Sequence, residues 1–212
     1  RLMWDSAVGS EFGRNETLVK LIPFGLCALA VAIPARVGLI NVGGEGQFYM
    51  GAWAAAGVIL YGNVPDPLML PAAALAGAAG GGAWAGLVAV MRIKGRVNEA
   101  ISSLLLNFVA IQIGNYFVYG PWKDPDGPNW PFSAAFPGSA MLGVVWGDRV
   151  NAAIFFVLAG LVAMFLVMRY TRAGYEMRVV GGNAEAARRQ GIPVSRYLFW
   201  ALVVGGAVAG LA

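Results

Sequence analysis

The chain has 212 residues, of which 58% are hydrophobic and only 12% charged, with a formal net charge of +4 and no histidine. A soluble domain carries about 25% charged residues, so the surface cannot be water-facing throughout. A single cysteine, Cys27, in an apolar run excludes a disulfide framework. The missing histidines remove the usual general base and the usual zinc ligand, and no carboxylate cluster has metal spacing.

About 20 apolar residues are needed for a helix to cross a bilayer. Taken in order, the segments Leu18–Val37, Gly46–Tyr61, Leu70–Met91, Glu99–Tyr119, Asn151–Met168 and Tyr197–Ala212 meet or approach that length, the second being short. This predicts an all-α, polytopic transmembrane bundle of about six helical segments, forming one transmembrane domain over 1–212. Breaker-rich loops separate them, at Gly62–Pro67, at Pro121–Arg149 and at Arg169–Arg196. The chain opens without methionine on a polar, mixed-charge stretch that does not read as a signal peptide, and closes inside an apolar run, so it reads as an internal piece.

Alternating the loops across the membrane puts Arg36, Arg92, Lys94, Arg96, Arg169, Arg172, Arg178, Arg188, Arg189 and Arg196 on one side. Arg1, Arg14, Lys20, Lys123 and Arg149 fall on the other, together with Asp5, Glu11, Glu16, Asp66, Asp124, Asp126 and Asp148. The positive-inside rule assigns the first side to the cytoplasm. Within the helices, Gly77 and Gly81, Gly82 and Gly86, and Gly206 and Gly210 are small-xxx-small pairs suited to close helix packing. Most tryptophans fall near segment ends as interfacial anchors, whereas Trp53 and Trp84 are more interior.

Three places can carry chemistry. Between the first two segments, Gly38–Gln47 holds four glycines with Asn41, Glu45 and Gln47 among them. Irregular backbone at membrane depth is tolerated only where protein or water covers it, and a carboxylate there marks a functional site. The alternative is a short cytoplasmic turn with Glu45 solvated near Arg36, and both readings stay open. The helix Glu99–Tyr119 carries Ser102, Ser103, Asn107, Gln112 and Asn115. Asn107 and Asn115 lie about 80° apart, with Gln112 on another side, so there is no single polar stripe. Each amide serves either as interhelical glue, the commoner use, or as a hydroxyl-binding group on a solute path. In the third place, "GGNAEAARRQGIP" spells a short helix. Asn183 is the N-cap, Glu185 lies in the first turn, Arg188 and Arg189 in the last, Gly191 is the stop and Pro193 lies beyond.

The stretch "GLINVGGEGQFYMGAWAA" resembles permeases of the branched-chain amino acid, ribose and nucleoside importer family, and most of all its simple-sugar and nucleoside members. The likeness continues through "GRVNEAISSLLLNFVAIQIGNYFVYGPWKDPDG" and "GYEMRVVGGNAEAARRQGIPVSRYLFWALVVGGAVAGLA", in the family's order from Leu18 onward. It implies the membrane subunit of an ATP-binding-cassette importer in a bacterial or archaeal cell membrane, carrying a simple sugar or nucleoside. Against the family's pattern, a first helix and several last ones are absent. The resemblance also implies a separate ATPase subunit, a second permease subunit and an extracytoplasmic solute-binding protein docking near Pro121–Pro131. Residues 181–193 become the cytoplasmic coupling helix, with Gly182, Asn183, Glu185, Ala186, Ala187, Gly191 and Ile192 in that role. Asn41, Glu45, Gln47, Asn107, Gln112 and Asn115 are the candidate solute path. No phosphate-binding Gly-x-x-x-x-Gly-Lys-[Ser/Thr] loop occurs, so the chain is expected to be non-catalytic, with ATP bound by the partner. It has lipid around it and no nucleic acid as a partner. The competing class is a gradient-driven secondary transporter or channel, for which broken helices and one embedded carboxylate also suffice.

Overall fold

The computed structural model describes residues 4–125, 127 and 130–212. Arg1 and Asp126 of the charge count, and Pro128 and Asn129 of the proline-rich loop, lie outside the described residues.

The helices follow the apolar runs, with boundaries set by capping chemistry. Helix α1 (Glu11–Ala35) starts where the Ser10 hydroxyl accepts the Gly13 N–H at 3.0 Å. It ends in a tight turn in which Gly38, at φ +79°, takes a left-handed conformation that a glycine adopts freely. Helix α2 spans Gly44–Tyr61 and α3 spans Asp66–Ile93, the latter opened by prolines that need no N–H partner in a first turn. Helix α4 (Glu99–Tyr119) is capped by Asn98, whose side-chain oxygen accepts from the N–H groups of Ala100 and Ile101. Helix α5 covers Ala153–Tyr170 and α8 covers Val194–Gly210.

Four of these, α1, α3, α4 and α5, are long and apolar enough to cross a membrane. Helices α2 and α8 match the other two expected segments and are inlaid against α3, where packing replaces length as the source of stability. Around them are features the apolar pattern does not carry. Helix α6 (Arg172–Gly182) occupies what reads as loop, capped by the Thr171 hydroxyl, and is followed directly by α7 (Ala184–Arg189). The expected all-α fold is nearly all-α: strands β1 (Val144–Trp146) and β2 (Val150–Asn151) form a small antiparallel hairpin. Its turn uses Gly147 at φ +56° packed on the Asn15 side chain, and Arg149 pairs with Glu16 to fasten it to α1.

The centre of the bundle is a glycine seam among α2, α3 and α8. A Cβ on Gly81 would stand 2.3 Å from the Gly206 carbonyl oxygen, one on Gly210 2.2 Å from that of Gly77, and one on Gly51 2.3 Å from the Gly210 Cα. Backbone touches backbone, which is the close approach small-xxx-small spacing permits. Gly77, Gly81, Gly206 and Gly210 thus meet in one contact, whereas Gly86 faces only the Val203 side chain at 3.7 Å. Helix α1 packs on the opposite side of α8, where a Cβ on Gly205 would meet the Ala30 carbonyl oxygen at 2.6 Å. Helix α5 hangs on α1 through Val157, its one buried residue.

The two ends are chemically distinct. Val37, Leu39, Val88, Ala89, Met177, Val180, Ala187, Val194, Ala201 and Leu202 form one apolar cluster, which gathers the ends of α1 and α3 with α6, α7 and the start of α8. Six of the ten basic residues counted on one side, Arg36, Arg92, Arg178, Arg188, Arg189 and Arg196, lie within three residues of its members along the chain. At the opposite end the interior Trp53 stacks on Trp122, with ring centroids 5.7 Å apart and planes at 12°. Phe117 packs against both, and the Tyr61 hydroxyl donates to the Pro121 carbonyl at 3.4 Å.

Candidate functional site: the polar strap and the short helix at the basic end

Between α1 and α2 the chain runs through Val37–Gly43 as a strap. Its residues alternate strictly, with Val37, Leu39, Asn41 and Gly43 buried and Gly38, Ile40 and Val42 exposed. That is the period of a β-strand, yet among the described residues no strand pairs with it. Helix α4 takes its hydrogen bonds instead. The Ile40 N–H donates to Glu99 Oε1 at 3.4 Å and the Val42 N–H to Ser103 Oγ at 3.2 Å. Asn107 Nδ2 donates to the Val42 carbonyl at 3.0 Å, and Asn107 Oδ1 accepts the Gly46 N–H at 2.9 Å. The geometry is commensurate. Two residues of extended chain advance about 6.7 Å, and four residues of helix advance about 6 Å. Glu99, Ser103 and Asn107, spaced i, i+4 and i+8, can therefore follow alternate strap residues.

Beneath the strap, Asn41 and Gln47 exchange amide hydrogen bonds, Asn41 Nδ2 to Gln47 Oε1 and Gln47 Nε2 to Asn41 Oδ1, each at 3.0 Å. Asn41 Oδ1 also accepts the Gly43 N–H, and its Nδ2 reaches the Ala30 carbonyl at 3.4 Å. Both side chains are buried, so each amide satisfies the other where water cannot. Gln47→Leu should strand one side of that pair and destabilise the protein by about 1–3 kcal/mol. Gln112→Leu, at an exposed position, should stay within about 0.5 kcal/mol. Thermal unfolding of the two variants in detergent makes the comparison.

The six candidate path residues thus divide. Asn41, Gln47 and Asn107 are buried and bonded to backbone or to one another, which is the glue reading of membrane amides. Glu45 is exposed in the first turn of α2, where a carboxylate suits the helix dipole. Gln112 and Asn115 lie farther along α4 on its exposed side, with Asn115 Nδ2 donating to Gln112 Oε1 at 3.2 Å. The structure does not bring these three together with the buried amides. Sequence reading missed Glu99 and its partner: the carboxylate is buried and pairs with Arg92 Nε at 3.0 Å. The i, i+4, i+8 spacing of 99, 103 and 107 is the signal that could have found it.

Helix α7 has the caps expected of it. Asn183 Oδ1 accepts the N–H groups of Glu185 and Ala186 at 3.0 and 2.9 Å. The far end closes with Gly191 at φ +79°, its N–H on the Arg188 carbonyl and the Ile192 N–H on that of Ala187, the paired bonds of a Schellman ending. Glu185 lies 3.5 Å from both Arg188 and Arg189. Ala187 is wholly buried in the basic-end cluster and Ile192 packs against it, while Gly182, Asn183, Ala184 and Glu185 are exposed. One face is anchored and the other is open.

Behind α7, the buried Glu176 of α6 is held by the Tyr197 hydroxyl and by Arg172, whose Nε lies 2.6 Å away. The Tyr197 bond first, then the Arg172 bond, keep its carboxyl below the ordinary carboxylate range. A lowered native pKa contributes stability above the unfolded-state pKa and loses it as pH falls through the native one. Acidification below the ordinary carboxylate range should therefore loosen α6 from α8. The pH dependence of melting should flatten there in Glu176→Gln.

A polytopic bundle with four long apolar helices, an irregular, protein-covered backbone between two helices and a capped, half-anchored helix at its basic end defines a multi-pass membrane protein. The chain belongs to the family described as branched-chain amino acid transport system permease components, whose profile matches residues 14–212. It is similar to the glucose ABC transporter permease protein TsgB13 of Haloferax volcanii, 38% identical over 99% of this chain and 58% of that protein. It is also similar to the guanosine ABC transporter permease protein NupP of Bacillus subtilis, at 29% identity over 99% of this chain and 61% of the relative. The nucleoside ABC transporter permease protein NupB of Lactococcus lactis is 27% identical over 97% of this chain and 59% of its own length. The chain therefore spans about three fifths of these relatives. No solved structure matches it. The family and the four long apolar helices make this a multi-pass protein of the cell membrane.

Proposed function

We infer that this chain is part of the membrane-spanning permease of an ATP-driven importer that brings a simple sugar or a nucleoside into the cell. The observation that carries the reading is α7, a short helix closed at both ends, anchored by Ala187 and open on the face that bears Gly182, Asn183 and Glu185. Such a helix suits a cleft in a separate ATPase subunit at the cytoplasmic side, and ATP is bound and hydrolysed there. A second permease subunit completes the path. The exposed Glu45, Gln112 and Asn115 line it, while Asn41, Gln47 and Asn107 hold the backbone that shapes it. A solute-binding protein delivers cargo at the opposite end, near Trp122 and Trp130. The glucose, guanosine and nucleoside permeases among the relatives support a hydroxyl-rich cargo of that size.

The test replaces Asn183–Gly191 by an unrelated flexible sequence in the complete permease. ATPase co-purification and ATP-dependent uptake of labelled glucose or guanosine should both be lost. Normal uptake after the replacement would reject the coupling role. Uptake by the permease alone in liposomes, abolished by collapsing the proton gradient, would favour a gradient-driven transporter instead.

A further inference from the structure

We propose that the Val37–Gly43 strap is the mechanical link between the short helix α7 and the long helix α4, with Glu99 and Ser103 as the positioning residues that latch α4 to it. The proposal rests on the reading of α7 as the ATPase-docking helix and assigns the next element in the chain of contacts.

The strap has two differently attached halves. Its first half belongs to the α6–α7 unit. Val37 and Leu39 are buried in the same cluster as Val180 and Ala187. Gly181, at the end of α6, lies so close that a Cβ on it would stand 2.4 Å from the Arg36 carbonyl oxygen. Gly38 faces the same residue, its Cβ position 3.5 Å from the Gly181 carbonyl oxygen. Backbone-to-backbone contact of this kind has no soft side chain to absorb a displacement. The second half belongs to α4, through the Ile40–Glu99 and Val42–Ser103 hydrogen bonds and the two made by Asn107.

By contrast, among the described residues no hydrogen bond or ion pair joins α7 to α4, whose Leu106 only packs against the edge of the apolar cluster that holds Ala187. A shift of α7 by an ATPase partner thus reaches α4 through the strap. The link is polar on one side only. Ile40 and Val42 are exposed residues whose N–H groups would otherwise need water. Glu99 and Ser103 satisfy them without covering them, so each is a directional bond through which the strap carries α4 with it. Arg92 holds the Glu99 carboxylate as its charge partner from the end of α3.

The experiment uses the complete permease assembled with its ATPase subunit in nanodiscs, with Cys27→Ala as background. Spin labels at Leu105→Cys on α4 and Leu75→Cys on α3, both exposed, report the α3–α4 distance without nucleotide and after trapping with ATP and vanadate. The parent should show a nucleotide-dependent shift. Glu99→Leu/Ser103→Ala should lose that shift while still retaining the ATPase subunit and hydrolysing ATP, and Ser103→Thr, which keeps the hydroxyl, should preserve it. A shift that persists in the double variant overturns the proposal. So does a parent that binds the ATPase without any shift, or a double variant that no longer retains the ATPase, since that makes the latch a structural brace. If the parent itself fails to retain the ATPase, the docking role of α7 falls first, and the link with it.

Discussion

Gly81→Leu is expected to prevent the bundle from assembling. The position faces the Gly206 carbonyl oxygen at 2.3 Å from an ideal Cβ and the Gly210 backbone at 2.8 Å. Over-packing a core costs about 1–3 kcal/mol when neighbouring side chains can move aside. Here the obstacle is main chain, and a shift of α8 would also break its contacts with Gly77, Gly51 and Ala30. The penalty should reach or exceed the upper end of that range, about 3 kcal/mol. Gly86→Ala, five residues farther along α3, meets only the Val203 side chain at 3.7 Å. It should be neutral or slightly stabilising, because alanine in a helix is favoured over glycine by about 1 kcal/mol. Size-exclusion profiles of the detergent-solubilised variants after a temperature ramp would separate them. Equal melting would mean that the seam is not a structural contact.

Ala187→Asp should detach α7. Ala187 is fully enclosed by Val37, Leu39, Met177, Val180 and their neighbours. A carboxylate placed there has no partner, and an uncompensated buried charge costs about 3–5 kcal/mol. The six-residue helix cannot supply that from its own hydrogen bonds, so the expected response is local: α7 swings out while the transmembrane core persists. The expected readout is loss of ATPase co-purification with a nearly unchanged melting profile. Ala184→Asp is the matched control. Ala184 is exposed and sits in the first turn, where an acid gains about 0.3–1 kcal/mol from the helix dipole. ATPase loss from both variants alike would point to charge repulsion at the docking face instead of detachment.

These two cases mark how unevenly the structure is legible in the sequence. The Gly77–Gly81 and Gly206–Gly210 spacings are visible as pairs, but that the two pairs meet each other, while Gly82–Gly86 lies aside, is not. Likewise α7 is written locally, because Asn183, Gly191 and the arginines between them act on backbone within a few residues. Helix α6 escapes the same reading. Its buried residues Gly174, Glu176, Met177 and Val180 include a carboxylate, which makes sense only beside Tyr197 and Arg172. The β-hairpin after Pro137 is hidden for a related reason, since its strands are too short to show a period and are held by Val150 and the Glu16–Arg149 pair.

The sequence by itself determined the membrane bundle, the six apolar segments, the charge asymmetry between the two ends and the capped helix at the basic one. All of these follow from hydropathy, charge and capping, interactions that act over one or two helical turns or on one chain segment against solvent or lipid. Only the tertiary structure decided what the polar residues do. Asn41 and Gln47 became a closed pair, Asn107 a clamp on backbone, and Glu99 a buried latch, while Glu45, Gln112 and Asn115 stayed open. A side-chain amide or carboxylate takes its role from whichever donor or acceptor lies within about 3 Å of it. Asn41 and Gln47 find each other six residues apart, but the strap and α2 backbone groups bonded by Glu99, Ser103 and Asn107 are some 60 residues away along the sequence, brought close by the tertiary packing.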